Sequence, residues 1–292
     1  MRICHLSDLH LPLPGPVPRR ALLGKRALGL ANLRLRRSDT HRLEPFVELL
    51  DAVVAEDADL VLIAGDVSNL SLEAEFARVD RLLRERGLAP ARTLVLPGNH
   101  DRYTPLADLG DAFERGLASW LPVGFRRRFD YPLTRRVGNV VVFGLDTAVW
   151  RGPHRAAGRL DPRQLERLAD ALGRLPADGP WPVIAMHHPP FELEGAFARH
   201  YRNGLDGFDA LFDAIGDRGA TVLHGHLHKA LRRRRGAIDI IGVPSASADV
   251  DGEHRLAYHV LEFGAGGLVR AERVRHRPGG IDRFEREEIP GA

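Results

Sequence analysis

The chain has 292 residues, of which 44% are hydrophobic, so it is long enough to bury a sizeable core in one large domain or two. The net charge is only +3, and all but two of the 42 basic residues are arginine, which is typical of a GC-rich coding sequence. No apolar run is long enough to span a bilayer, no secretory signal pattern is visible, and the single cysteine, Cys4, excludes an internal disulfide. These features predict a cytoplasmic protein with a buried thiol.

Short apolar runs that predict buried strands alternate with helical patterns along the first three quarters of the chain. The predicted strands lie at residues 2–6, 60–64, 93–96, 140–145, 182–186 and 221–223. Helices are predicted at residues 44–56 and 72–86, and a third starts at Asp161, an N-cap candidate followed by proline. Four more strands follow, at residues 230–234, 238–243, 256–263 and 268–274. This order favours two packed sheets flanked by helices.

Two segments interrupt this pattern. Residues 19–37 form a basic, leucine-rich insertion after a proline-rich stretch, and we consider two interpretations, a cap over the active site and a contact with anionic lipid. On a helical wheel Arg26 falls on the same face as Leu30, so the amphipathic signal is poor. The polar residues 276–292 are predicted to be a loose C-terminal tail, which leaves residues 1–275 as one domain.

Five of the predicted strands end in imidazole, carboxylate or amide side chains. These are Asp8 and His10, Asp66, Asn99 and His100, His187, and His224 with His226. Because the carboxyl ends of neighbouring strands meet at one edge of a sheet, we expect these groups to converge. The set lacks cysteine and suits Zn, Mn, Fe or Ni better than Ca. It is too large for one ion, so two ions that share a carboxylate are the economical arrangement.

The same blocks resemble the signature of the calcineurin-like metallophosphoesterase superfamily. The blocks are Asp8-x-His10, Gly65-Asp66, Gly98-Asn99-His100-Asp101, His187, and Gly225 flanked by His224 and His226. They occur in the order typical of that superfamily and span residues 8 to 226. The resemblance implies an α/β fold, a four-layer α/β/β/α sandwich of two mixed β-sheets flanked by helices, with a dinuclear metal centre at one edge.

The resemblance also implies a role for each residue. Asp8, His10 and His226 would bind one ion, Asn99, His187 and His224 the other, and Asp66 would bridge the two. The ions would be two divalent or mixed-valence transition metals, Mn, Fe or Zn, with a metal-bridging hydroxide as the nucleophile. His100 would act beside the scissile phosphate, with Asp101 orienting its ring. His188, His154 and His200 belong to no block, and His5, Asp146 and His228 are expected to be structural supports.

The substrate is less well defined than the reaction. The segment Gly158-Arg159-Leu160 with Gln164-Leu165 resembles the bacterial cyclic-nucleotide phosphodiesterase branch, which implies a small phosphodiester or nucleotide substrate. The alternative is a pyrophosphatase of a lipid-linked nucleotide sugar, similar to UDP-2,3-diacylglucosamine hydrolases, with residues 19–37 on the inner membrane surface. A catalytically silent binding module on the same fold is the alternative of another class. Arg126-Arg127-Arg128 and the arginines at 232–235 accompany no nucleic-acid-binding module, so a nucleic-acid partner is not expected. The oligomeric state stays open.

Overall fold

A computed structural model describes residues 1–22, 24–36, 43–125, 127–152, 155–193, 204–248, 256–279 and 282–290. Its strands are, in chain order, β1 (Arg2–Leu6), β2 (Leu60–Ala64), β3 (Thr93–Leu96), β4 (Leu133–Val137), β5 (Val140–Gly144), β6 (Gly158–Arg159), β7 (Trp181–Ala185), β8 (Leu205–Asp206), β9 (Ala220–His224), β10 (Leu231–Arg235), β11 (Ile238–Gly242), β12 (Ala257–Gly264), β13 (Gly267–His276) and β14 (Phe284–Glu288). Its α-helices are α1 (Lys25–Arg36), α2 (Leu43–Ala55), α3 (Glu73–Glu85), α4 (Pro105–Leu109), α5 (Ala112–Gly116), α6 (Pro162–Gly173) and α7 (Asp209–Ile215).

Two six-stranded mixed sheets form the centre of the molecule. The first has the order β14-β13-β12-β1-β2-β3, in which β1, β2 and β3 are parallel neighbours. The second has the order β10-β11-β9-β7-β5-β4, in which β11, β9, β7 and β5 are parallel. A parallel bridge between Ser7 and Ser245, each just beyond the carboxyl end of a parallel strand, joins the two sheets at one edge. The parallel strands of both sheets therefore end near the same place.

Helices cover the outer face of each sheet. Apolar side chains of α2 and α3, such as Phe46 and Phe76, belong to a core that also contains strand residues of both sheets. A second core lies on the other face of the second sheet, where α6 and α7 contribute Leu168 and Phe212. The parallel strands β2 and β9 are buried along their whole length, as expected when both faces of a sheet are covered. The four-layer α/β/β/α sandwich is confirmed.

The positions of the predicted strands are confirmed to within about two residues at each end, and Cys4 is buried as expected. One expectation about the chain's end is wrong, since part of the polar tail forms β14 and pairs with β13. Its charged side chains are used in ion pairs, for example Glu285 with Arg275 at 2.6 Å, so this edge strand needs few apolar residues. The sheet therefore continues to Glu288.

Among the described residues, no helix is both long enough and apolar enough to cross a membrane.

Candidate metal centre

The carboxylate of Asp66 lies between two groups of imidazoles at the shared sheet edge. Its Oδ2 atom is 3.3 Å from His187 Nε2 and 3.6 Å from His10 Nε2. Its Oδ1 atom accepts the backbone N–H of His100 at 2.7 Å. Gly98 passes so close that a Cβ atom there would overlap the Asp66 side chain, which explains glycine before Asn99. Asp66 has the position that a carboxylate shared by two ions requires.

One candidate ligand group lies beside Asp66 on the side of β1. Asp8, His10 and His228 each offer a ligand atom, and the three atoms lie within 4.8 Å of one another. The Nε2 atom of His228 is 3.1 Å from Asp8 Oδ1, and that of His10 is 3.8 Å from the same oxygen. A carboxylate and two imidazoles at this separation can hold one transition-metal ion.

The second group lies on the side of β7. The Nε2 atom of His187 is 3.2 Å from Asn99 Oδ1 and 3.3 Å from His226 Nδ1. Asp66 faces this group as well, since its Oδ2 atom lies close to the same nitrogen of His187. An amide oxygen and two imidazoles therefore converge here, and a second ion would share Asp66 with the first.

His228, and not His224, belongs to a candidate ligand group. Among the described residues, His224 joins none of the groups that could hold an ion, and its ring packs against Phe191 with centroids 5.6 Å apart. Its Nε2 atom lies over Gly242 on β11, because His224 is still a strand residue. His228, which was expected to be a structural support, takes part in the Asp8 group instead. The candidate ligand pair is thus His226 and His228.

Most candidate ligands that follow a strand have a backbone conformation that differs from that of the strand. Asp8, His10, Asp66, His226 and His228 all have positive φ, between 38° and 69°. Residues other than glycine rarely adopt this left-handed region, and such strain concentrates at functional sites. The turns direct alternate side chains of Asp8-Leu9-His10 and His226-Leu227-His228 to the centre, while both leucines are buried.

The buried charges of the centre shift one another's pKa. Burial alone would raise the pKa of Asp66, but the neighbouring His187 outweighs it and lowers that pKa below its usual range. Burial likewise opposes the charge on His187, yet the Asp66 carboxylate raises the pKa of His187 to about 9. Burial lowers the pKa of His226 to about 3. The Asp66 carboxylate therefore favours positive charge at the place where a cation would be bound.

The ring of His100 is held by a backbone carbonyl and not by Asp101. His100 Nδ1 lies 2.8 Å from the carbonyl oxygen of Asn69, so this nitrogen carries the proton. The ring also offers a ligand atom within 4.8 Å of those of His10 and Asp66. The Asp101 carboxylate instead accepts the N–H groups of Gly98 and Ser68, both at 2.9 Å, and the Ser68 hydroxyl at 2.7 Å. Asp101 therefore holds the loops beside His100 in place. The expectation that Asp101 contacts and orients the His100 ring is wrong.

Comparison with known proteins identifies the family. A family model described as calcineurin-like phosphoesterase matches residues 1–230. The chain belongs to this family. A curated relative, the 3',5'-cyclic adenosine monophosphate phosphodiesterase CpdA of Pseudomonas aeruginosa, is 28% identical over 248 residues, which cover 83% of this chain and 75% of the relative. As a calcineurin-like phosphoesterase, the chain is a metal-dependent phosphoric ester hydrolase.

Two solved structures have the same fold. A dimetal phosphatase from Danio rerio has a TM-score of 0.60 and 13% sequence identity, and the match covers 100% of this chain and 99% of that one. Purple acid phosphatase PPD1 from yellow lupin (Lupinus luteus) seeds has a TM-score of 0.61 and 12% identity, with 99% of this chain covered. This chain spans only about half of the lupin enzyme, 53% of its length. At these identities the two structures support the fold alone.

The donor set of this calcineurin-like phosphoesterase fits a dinuclear transition-metal centre. The donors are imidazole nitrogens, two carboxylates and one amide oxygen, with no thiolate among them. His188 also lies near His187 and His226, but its ring makes two contacts elsewhere, 2.8 Å to Thr147 Oγ1 and 2.9 Å to the Ala156 carbonyl. His188 could join His187 and His226 around an ion, but because a carbonyl only accepts, its Nε2 atom is protonated, which favours a supporting role.

The remaining residues that the sequence singled out lie outside the centre. His5 is buried in β1, and its ring meets that of His259 edge-on at 6.1 Å. Asp146 follows β5 and accepts a hydrogen bond from Arg102 at 2.9 Å. Neither belongs to a described group that could hold an ion. His154, His200 and Arg126 lie outside the described residues. Of the arginines at 232–235, Arg232 pairs with Asp239 and Arg235 with Asp209.

A buried ion cluster anchors the loop that carries Asn99 and His100. The guanidinium of Arg102 is fully buried and contacts Glu114 at 3.0 Å and Asp146 at 2.9 Å. We expect Arg102→Met to lower the free energy of unfolding by about 3–5 kcal/mol, because it leaves Glu114 as a buried carboxylate without its cation. Urea denaturation measures this loss.

The matched control is Arg92→Met. Arg92 pairs with Asp57 at 2.8 Å, but their side chains are 55% and 81% exposed, so we expect little change. If the two variants lose equal stability, the buried cluster does not anchor the loop in the way described.

Proposed function

We propose that this phosphoesterase is a phosphodiesterase that hydrolyses 3',5'-cyclic nucleotides. The observation that carries the proposal is the cyclic-AMP phosphodiesterase relative, whose match covers 83% of this chain. The sequence segment around Gly158 points to the same branch of the family. The substrate would be a small phosphodiester that reaches the sheet edge where the ligand groups lie.

In this proposal seven side chains hold two metal ions. Asp8, His10 and His228 bind one ion, Asn99, His187 and His226 bind the other, and Asp66 is shared. Two bound ions supply the positive charge that activates a water molecule and neutralises the phosphoryl oxygens. The neutral amide of Asn99 adds no negative charge to a centre that receives an anionic substrate. The buried Asp66 and Asp8 carboxylates remain ionised, because the neighbouring imidazoles lower the pKa of each.

In this proposal His100 donates a proton to the leaving oxygen. Its Nδ1–H is fixed on Asn69, so Nε2 is the nitrogen that accepts a proton from solvent and donates it to the departing alkoxide. The ring is further restrained by stacking on Tyr103, with centroids 5.2 Å apart, and by an edge contact with His10 at 4.7 Å. A fixed ring keeps the proton aimed at one position.

The packing of α1 favours the cap over the membrane contact. Arg26 does not face outward, because its guanidinium donates to the carbonyls of Leu70 and Ser71, both at 2.8 Å. Leu30 is buried, and Gly29 passes so close to the Tyr103 ring that a side chain would not fit. Leu28 is the large apolar side chain of the described part of α1 that is clearly exposed. One leucine gives little area for insertion into lipid.

A charged cavity beside β5 and α6 is also unsuited to an acyl chain. A cavity of about 410 Å³ beside β5 and α6 is lined by five arginines and three aspartates, together with the exposed Trp150 and Phe129. An acyl chain needs an apolar channel, and burying it against charged groups would leave those groups without water. None of the candidate metal ligands lines this cavity.

The proposal is tested with the purified protein loaded separately with Mn, Fe or Zn. Cyclic AMP and cyclic GMP are compared with UDP-2,3-diacylglucosamine in detergent, and sedimentation with anionic liposomes is measured in parallel. We expect hydrolysis of a cyclic nucleotide and no liposome binding. Cleavage of the acylated nucleotide sugar alone, with liposome binding that is lost on removing residues 19–37, would support the lipid substrate and contradict the proposal.

A further inference from the structure

The first turn of α1 brings a lysine to the rim of the metal centre. The Nζ atom of Lys25 lies 4.5 Å from the centroid of the Tyr103 ring, and that ring is stacked on His100 with an angle of 17° between the planes. The ammonium group is therefore one aromatic ring away from the His100 imidazole. Apart from Lys229, Lys25 is the only lysine in the chain.

Lys25 is half-buried, and no ion pair with a carboxylate is present for it among the described residues. Burial lowers the pKa of its ammonium group, and the charge of Asp66 opposes that effect. Surface arginines of this chain commonly have carboxylate partners, for example Arg84 with Asp80. A partly desolvated cation with only an aromatic face beside it is suited to an anion that is not part of the protein.

The position of Lys25 is fixed by its surroundings. The next residue, Arg26, ties α1 to the loop after β2 through the carbonyls of Leu70 and Ser71. The Ser71 hydroxyl donates to the His100 carbonyl at 3.0 Å and accepts the Tyr103 N–H at 2.7 Å. The cap, the stacked rings and the His100 loop are thus one connected unit, and the backbone that carries Lys25 cannot move away without breaking these contacts.

We infer that Lys25 forms a phosphate subsite, in which its ammonium group contacts a non-bridging phosphate oxygen of the substrate beside His100. The inference rests on the proposed function and names a specificity residue for it. A lysine acts on phosphate as a compact point charge with three donors. The contacted oxygen belongs either to the scissile phosphate or to a second phosphate next to it, and the two sources can be separated by experiment.

Steady-state kinetics of the variants Lys25→Met and Lys25→Arg on two substrates distinguish the scissile phosphate from a second phosphate. A cyclic nucleotide has one phosphate, whereas a nucleoside diphosphate ester has two. We expect Lys25→Met to lower kcat/KM by about 10- to 100-fold, the range of a hydrogen bond to a charged group, and Lys25→Arg to recover part of it. A loss on both substrates places the contact at the scissile phosphate, and a loss on the diphosphate alone places it at the second phosphate. Unchanged kcat/KM on both overturns the inference.

The matched control is Arg20→Met, which removes an exposed charge from the same insertion and should leave kcat/KM unchanged. A second readout does not depend on turnover, because inorganic phosphate can be titrated calorimetrically into each metal-loaded protein. We expect weaker phosphate binding in Lys25→Met by a similar factor, with metal content unchanged. Equal binding in all proteins overturns the inference. If the unsubstituted protein hydrolyses neither ester, the proposed function fails while the titration still tests Lys25.

Discussion

His228→Ala is expected to lose one of the two metal ions and at least about 99% of the phosphodiesterase activity. The reason is geometric, since His228 Nε2 lies 3.1 Å from Asp8 Oδ1 and offers the third donor of that group. Without His228 the ion keeps only Asp8, His10 and the shared Asp66, and metal affinity falls even when a residue that merely supports a ligand is changed. Elemental analysis of the purified variant measures the metal, and cyclic-nucleotide hydrolysis measures the activity.

His224→Ala is the matched control for this prediction. His224 is the last residue of β9 and His228 follows four residues later. The ring of His224, however, lies over Gly242 and against Phe191. We expect this variant to keep both ions and most of its activity, with some loss of stability from the space left in the core. If His224→Ala loses an ion while His228→Ala keeps both, the assignment of the ligands is reversed.

His100→Gln is expected to reduce turnover by about 10²- to 10⁴-fold while both metal ions stay bound. Glutamine can keep a hydrogen bond to the Asn69 carbonyl but cannot carry a proton to the leaving oxygen. The loss should therefore appear mainly in kcat, and it should shrink for an ester whose leaving group departs without protonation, such as a nitrophenolate. An equal loss on both kinds of ester would show that His100 does not deliver the proton.

Residue spacing predicted much of the fold and most of the site. Buried strands such as β2 and β3 are continuous apolar runs that stop at Gly65-Asp66 and Pro97-Gly98, so both their position and their polar ends could be derived from the sequence. The convergence of these ends follows from the parallel order of the strands. The strand β14 was not predictable from hydrophobicity, because its pairing depends on charges supplied by β13, including Arg273 and Arg275.

The place of His228 in the candidate metal centre was missed although a signal for it was present. The segment His226-Leu227-His228 repeats the spacing of Asp8-Leu9-His10, with two polar residues around a buried leucine. In both segments the polar residues have positive φ, so a turn directs two side chains to the same side. The strand ends at His224, and a residue still inside β9 cannot make that turn. The hydrogen bond from His100 to Asn69 had no such signal, because it uses a backbone carbonyl.

The most direct test of the account is a crystal structure of the metal-loaded protein with anomalous scattering data. We predict two ions that share Asp66, with His228 bound to one ion, His226 bound to the other, and no metal at His224. A single ion, or an ion coordinated by His224 in place of His228, would contradict the dinuclear centre described above.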